Sequence, residues 1–597
     1  MKSQTDSQPS VKGLARRLLR YVMPYRKRML AALAMIVFFT LTINYLPILI
    51  RNATDSFIDV SAEEMSAEAR ISGLYRVGIV YVVVALAGFL MRYVQGLLIA
   101  WIGQLVIRDL RGEVFSRALR LDIAFFDRTP VGRLMTRVTS DIDRLQRFVT
   151  EGVVGSVADV FMLVGILGYM VYMSPPLALV IFLMLPPLFF VLLTINRKLR
   201  KAYRRIRHTQ SSLNALTQEY IGGMGTIQIF NREPASRGDF EERGRELRAA
   251  QYEEVKWFST YFPVIEFGQA LALALVFGIG GSLIIKGSTL VSVGTLIAFI
   301  TYIREFFHPL GSLSDKANTY QEAMASCERI FALIDTPESV SAPEQPADPE
   351  RIRGAIEFRD VGFAYEKENW VLHDLSFRVN EGESVAIVGA TGAGKTTIIN
   401  LIGRFYDIQR GVIEIGGTEI KNFRKEDLRD RIGFVFQEPF IFSGSIADNI
   451  SMRDPRFSRA EIEAAARAVN AHGFISAMRD GYDTELKERG GGLSLGEKQL
   501  ISMARVFVRQ PELLLILDEA TASVDSATEL LIQDALSTLQ KGRTSIIIAH
   551  RLSTIRHANR IIAMKHGRMA ASGTHEELMA ERGYYYQLYQ LLSHDVN

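Results

Sequence analysis

Residues 389–396 read GATGAGKT, which places Gly389, Thr391, Gly392, Gly394, Lys395 and Thr396 in one short loop, with Thr397 directly after. Glycines let a backbone approach phosphates closely and aim its N–H groups inward. In that chemistry Lys395 reaches the β- and γ-phosphates, and the Thr396 hydroxyl holds Mg2+. The preceding run, 384–388, reads as a buried strand, and a helix follows. A second apolar run, 513–517, ends in Asp518 and Glu519. Open α/β sheets bind ligands at the carboxyl ends of their strands, so Asp518 can hold Mg2+ there, directly or through water. Glu519 is placed to take a proton from an attacking water. By itself such a run could end in a carboxylate that merely caps a helix. Another strand-like run, "TSIIIAH", ends at His550, a candidate γ-phosphate contact. A fourth, "RIGFVFQ", leads into Gln437, which could meet both Mg2+ and a moving neighbour.

Further along stands "GGLSLGEKQL", residues 491–500. Ser494, Gly496 and Glu497 sit where a loop opens a helix, and free N–H groups at a helix start suit phosphate. Leu495 puts an apolar side chain in the middle. A glycine there would tolerate φ > 0, whereas leucine resists such angles and adds bulk. The stretch reads as a weakened phosphate surface or as a helix cap.

These groups need a scaffold. With 597 residues the chain exceeds one domain. Apolar residues make up 48% and charged ones 22%, which excludes a disordered chain. A formal charge of +4 is small for this length and points to no nucleic-acid partner. The single cysteine, Cys327, excludes an internal disulfide and a multi-cysteine metal site. Six apolar stretches can cross a bilayer as helices, at 29–50, 73–101, 152–173, 177–196, 261–285 and 289–310. Residues 1–28 form a tail and a basic amphipathic run suited to a membrane surface.

Basic residues set the orientation. Segment 102–151 carries nine arginines, and segment 197–260 opens with "RKLRKAYRRIRH". The loop at 52–70 is acidic until Arg70. The N-terminus and both long segments are therefore expected on the cytoplasmic side. Each long segment holds a break, "FFDRTPVG" and "IGGMGTIQIF", whose Pro and Gly residues mark turns at a tip. Arg92, Asp159, Glu266 and Arg304 fall within or near spans, where charge faces protein or water. After a transmembrane domain over 29–335, the stretch 336–353 reads as a Pro- and Glu-rich linker. Residues 354–590 alternate strand-like and helical runs, and 591–597 form a tail.

Six spans followed by this ordered set of motifs resembles an ATP-binding-cassette (ABC) exporter half-transporter, over nearly the whole chain. The resemblance implies a membrane α-helical six-span domain joined to a cytoplasmic α/β P-loop ATPase domain. It implies a multi-pass protein of the cytoplasmic membrane using ATP and Mg2+. Tyr365, in "FAYEKENW", would stack on adenine. The breaks near 125–143 and 222–232 would be coupling helices pressing on grooves near Gln437. Two cassettes would sandwich two ATP molecules, and "LSLGE" would serve the partner's nucleotide through Ser494 and Gly496. A poor signature beside an intact Lys395, Asp518, Glu519 and His550 resembles the second chain of bacterial heterodimeric multidrug-like exporters. The cargo implied is a hydrophobic or amphipathic solute such as a drug, lipid or peptide. A homodimer, an importer built on the same plan and a regulatory membrane ATPase remain open at this stage.

Overall fold

The computed structural model describes residues 11–59, 65–288, 290–366, 368–518, 526–549 and 552–594. They form two compact units: Met1–Leu119 with Val131–Thr336, and Arg120–Pro130 with Pro337–Asn597.

The first unit is helical. Helix α1 (Val11–Val22) turns through a short 3-10 segment into α2 (Arg26–Ala53). Then follow α3 (Ala67–Arg120), α4 (Val131–Met173), α5 (Pro175–Gly222), α6 (Glu233–Ile285) and α7 (Val293–Ile334). Five of these, α2 to α6, are long and apolar enough to cross a membrane. Of the expected sixth span, 289–310, residue 289 lies outside the described residues, and 293–310 lie in α7, 42 residues long. The helices run well beyond the apolar stretches: the 54 residues of α3 extend about 80 Å. Inside a bilayer every backbone group must be satisfied within its own segment, which continuous helices achieve. Helix α4 passes through two π turns, Arg137–Asp141 and Phe148–Val154, without breaking.

Packing follows the apolar faces. The unit's main core joins α4, α5, α6 and α7 through Ile166, Met170, Leu177, Ala272, Val276 and Phe299. By contrast α3 exposes Tyr75, Ile79, Val82, Leu86 and Phe89, an apolar stripe fit for lipid or another helix. The amphipathic α1 buries Leu14, Leu18 and Val22. Its polar side is tied down: Arg17 pairs with Asp335 and lies 4.3 Å over the Phe331 ring, while Tyr21 donates to Glu113 and Tyr25 to Asp109. Below the apolar spans, Asp141 is fully buried. It accepts from Arg329 at 2.6 and 2.8 Å, from Ser326 at 3.0 Å and from Arg144 at 3.0 Å.

The second unit is α/β. Four strands, β1 (Ile356–Glu366), β2 (Asn369–Val379), β4 (Arg410–Ile415) and β5 (Thr418–Glu419), form an antiparallel sheet in the order β2-β1-β4-β5. The larger sheet contains β3 (Ser384–Gly389), β6 (Ile432–Val435), β7 (Leu514–Asp518), β8 (Ser545–Ile548), β9 (Arg560–Lys565) and β10 (Arg568–Gly573). Its order is β10-β9-β3-β8-β7-β6, parallel except for β10. The strands read as unbroken apolar runs because both faces are covered. Ala386, Val388, Leu515 and Leu517 enter one core, and their neighbours Val385, Ile387, Leu514 and Ile516 enter the other.

The tip Arg120–Pro130, which carries a short helix over Ile123–Arg128, folds as part of this second unit. Asp127 accepts from the Tyr406 hydroxyl, Arg128 donates to the Tyr365 carbonyl at 2.7 Å, and Lys425 meets Asp122 at 3.3 Å. Asp122 also accepts from Val340 N–H at 2.9 Å and Ser339 at 3.0 Å. Burial works against that carboxylate's charge, but these donors and Lys425 outweigh it and hold it below the usual carboxylate range. For this tip the contacts are with the surface around Tyr365, Tyr406 and Lys425. Side chains with a hydroxyl or charge to offer stand there, and the tip's own Asp and Arg residues find them. Cys327 is buried, and burial pushes its thiol up to about 12, as suits a packing residue.

Candidate functional site

Register brings the predicted groups to one edge. In the parallel sheet Ile387 stands beside Ile548, Ile548 beside Asp518, and Leu517 beside Val435. The carboxyl ends of β3, β8, β7 and β6 therefore share one edge, the side where such sheets bind ligands. The glycine loop leaves from the first, Asp518 ends the third, and Gln437 follows the last by two residues, exposed. Glu519 and His550 lie outside the described residues, as does 522–525.

The glycines of the loop are required by its geometry. Gly394 has φ +98°, and a Cβ there would come 2.7 Å from Leu372 Cδ2. A Cβ on Gly389 would come 2.4 Å from the Met564 carbonyl oxygen. Side chains at either position would close a cradle that the backbone leaves open. Gly394 caps α8 (Lys395–Ile402), so the first N–H groups of that helix face the loop. Thr391, Gly392 and Thr396 are exposed.

Lys395 is 7% exposed and donates to the Gly389 and Ala390 carbonyls at 2.8 and 3.2 Å. Burial pulls its ammonium below the ordinary lysine range, and the Asp518 carboxylate opposes that pull. A buried cation beside open N–H groups is an anion site, and the cradle fits a nucleotide's phosphates. Thr396, Gln437 and Asp518 offer hard oxygen donors of the kind Mg2+ takes.

Tyr365 is half-buried at the end of β1. Its hydroxyl meets Thr397 Oγ1 at 3.2 Å and accepts from Asn400 Nδ2 at 3.3 Å, which ties the aromatic strand to the phosphate-loop helix. Its ring meets Tyr406 edge-on at 5.0 Å and Phe363 at 4.8 Å. Thr397 is buried, with its hydroxyl turned to Tyr365.

The stretch around Leu495 resolves into a helix start. Ser494 caps α9 (Leu495–Arg509) in a capping box: Glu497 N–H donates to the Ser494 hydroxyl at 3.3 Å, and Ser494 N–H donates to the Glu497 carboxylate at 2.7 Å. Glu497 is therefore a capping group. Leu495 is the first helical residue and has no positive φ, so the expected backbone strain is absent and only its bulk remains. Gly496 is buried and Ser494 exposed.

Sequence reasoning missed Arg505 and Asn449. Arg505, on α9, donates to the Asn449 carbonyl at 2.9 Å and to the Phe440 carbonyl at 3.2 and 3.3 Å. Burial, then neighbouring Arg509, pulls its pKa down to about 10. The Asn449 side chain in turn bonds Phe442 N–H and carbonyl. Together they fix α9 against the segment that follows Gln437. An arginine among the apolar residues of α9 was the available signal.

Residues 29–310 match the family model described as ABC transporter transmembrane region, and residues 372–522 match that described as ABC transporter. Over 574 residues the chain is 37% identical to an uncharacterized ABC transporter ATP-binding protein, YknV, of Bacillus subtilis (strain 168), covering 95% of this chain and 93% of that one. It is 34% identical over 577 residues to the ATP-dependent lipid A-core flippase of Syntrophus aciditrophicus (strain SB), covering 96% and 94%. It is 37% identical over 503 residues to a fatty acid ABC transporter ATP-binding/permease protein of Mycobacterium tuberculosis (strain CDC 1551 / Oshkosh), covering 84% and 79%. With a transport bundle and an ATP-hydrolysing cassette in one polypeptide, the chain belongs to the ABC transporters as an exporter-type half-transporter.

Proposed function

We propose that this half-transporter exports a hydrophobic or amphipathic solute across the cytoplasmic membrane, paired with a different half-transporter and using Mg2+ with its ATP. Residues 29–335 would form the transport domain, and 354–590 a cassette on the cytoplasmic side. The observation that supports the reading best is the shared strand edge, where the glycine cradle, buried Lys395 and Asp518 meet. Relatives whose names specify a lipid A core or a fatty acid support an amphipathic cargo.

In this reading Lys395 and the first N–H groups of α8 neutralise charge on the phosphates. Thr396, Gln437 and Asp518 would hold the metal, which when bound would supply Lewis-acid charge at the phosphoryl oxygens. Glu519 accepts the proton of the attacking water, and His550 holds a γ-phosphate oxygen. Tyr365, braced by Tyr406, presents a ring to adenine. Ser494 and the N–H of Gly496 serve the nucleotide bound to the partner chain, with Leu495 crowding that surface. The exposed Ile221, Met224, Ile229 and Phe230 of the second tip suit contact with the partner's cassette.

The pairing is tested by expressing this chain alone and together with a half-transporter of intact signature. The expected result is a stable one-to-one complex whose ATPase exceeds that of this chain alone. A fully active assembly of this chain by itself would replace the heterodimer with a homodimer. Inside-out vesicles should accumulate cargo when supplied with ATP; ATP-driven loss from them would make the protein an importer.

A further inference from the structure

A cavity of about 740 Å³ opens between α2, α3, α4 and α7. That is ample for a drug-sized molecule or an acyl chain. Its lining changes character along its length. Leu46, Ile43 and Val84, toward the ends of the helices expected outside, are apolar. Arg92, Gln95, Asp159, Glu305 and His308 gather toward the ends expected in the cytoplasm. Of the four span charges singled out from the sequence, Arg92 and Asp159 line it, and Glu266 and Arg304 do not.

The charges differ in whether the protein satisfies them. Asp159 is neutralised by Lys316 of α7. Arg92 lies 5.5 Å over the Phe39 ring and has no carboxylate partner among the described residues. Glu305 has no hydrogen-bond or ion-pair partner among the described residues, and the two do not pair with each other. Gln95 Oε1 is buried without a donor among the described residues. An intramembrane charge is costly unless something answers it. Here one cation and one anion stand open at the same end of one cavity, with an unmet acceptor beside them. No ligand of a single charge answers both.

We infer that this cavity takes the zwitterionic head of an amphiphile from the cytoplasmic leaflet. Its phosphate or carboxylate would lie at Arg92, its ammonium at Glu305, and its chain along Leu46, Ile43 and Val84. This deepens the export reading and rests on it.

The test uses the full chain with its partner in nanodiscs. Three probes of equal acyl length are titrated: lysophosphatidylethanolamine, lysophosphatidylglycerol and an alkylamine. Binding is read by tryptophan fluorescence, and ATPase is measured in parallel. Wild type should prefer the zwitterion. Glu305→Gln should weaken it about 10-fold and turn the preference to the anionic probe. Arg92→Gln should turn it to the cationic probe, and Arg92→Lys should restore the wild-type order. Equal affinity for all three heads, or variants that leave the order unchanged, overturns the assignment even while ATPase persists. Selective binding without any ATPase would instead uphold the cavity and remove the pump.

Discussion

At the scale of single residues, Leu495 and Lys395 show what a sequence conveys and what it withholds. The glycine loop and Asp518 were legible because phosphate chemistry leaves few alternatives in residue type and spacing. Leu495 was visible as an anomaly, but its backbone was not. A leucine in mid-loop suggests strain, yet Ser494 and Glu497 close a capping box and make it an ordinary first helical residue. Its effect is then steric. Leu495→Gly should raise ATP turnover in a preparation where this chain supplies the signature, with no loss of cassette stability beyond about 1 kcal/mol. Steady-state kinetics and thermal unfolding check both halves. Lys395→Ala should weaken nucleotide binding about 10- to 100-fold, because it removes a charge-assisted contact from a buried site. Isothermal titration reads this directly, and an unchanged affinity would take Lys395 out of the phosphate site.

At the scale of elements, the apolar stretches located the spans, and the alternation of buried runs located the parallel sheet. The helix-patterned inner segments, 102–151 and 197–260, read as extensions of the spans, and α3, α5 and α6 run on into them. What holds them together is polar and long-range. Asp141 and Arg329 are 188 residues apart, and no local pattern announces the pair. Burial opposes the Asp141 charge, but Arg329, Ser326 and Arg144 outweigh it and keep its pKa below the usual carboxylate value. A depressed folded pKa stabilises the fold above the unfolded value and loses that contribution as pH falls through the folded one. Asp141→Asn should therefore cost about 2–3 kcal/mol near neutrality. The gap in Tm from wild type should close toward acid pH. A gap that stays constant with pH would mean the pair contributes packing only. The Arg120–Pro130 tip was similarly legible as a turn, whereas its docking onto Tyr406 and Lys425 was not, since those partners lie about 280 to 300 residues away.

At the scale of the whole molecule, two units divide the work. One offers long helices with a cavity open to charge at one end, and the other gathers phosphate-binding groups on a strand edge. Family membership joins these into ATP-driven export. Composition spoke against a disordered chain, but the proposed cargo rests on the lining of a cavity assembled from four helices, which no single stretch of sequence reveals. The most direct test of the account is Mg·ATP hydrolysis by the purified complex in nanodiscs, comparing wild type with Glu519→Gln. Wild type should turn ATP over, and the variant should retain bound ATP while turnover drops about 10²- to 10⁴-fold. Hydrolysis by Glu519→Gln at the wild-type rate would contradict the assignment of Glu519 as the group that takes the water's proton.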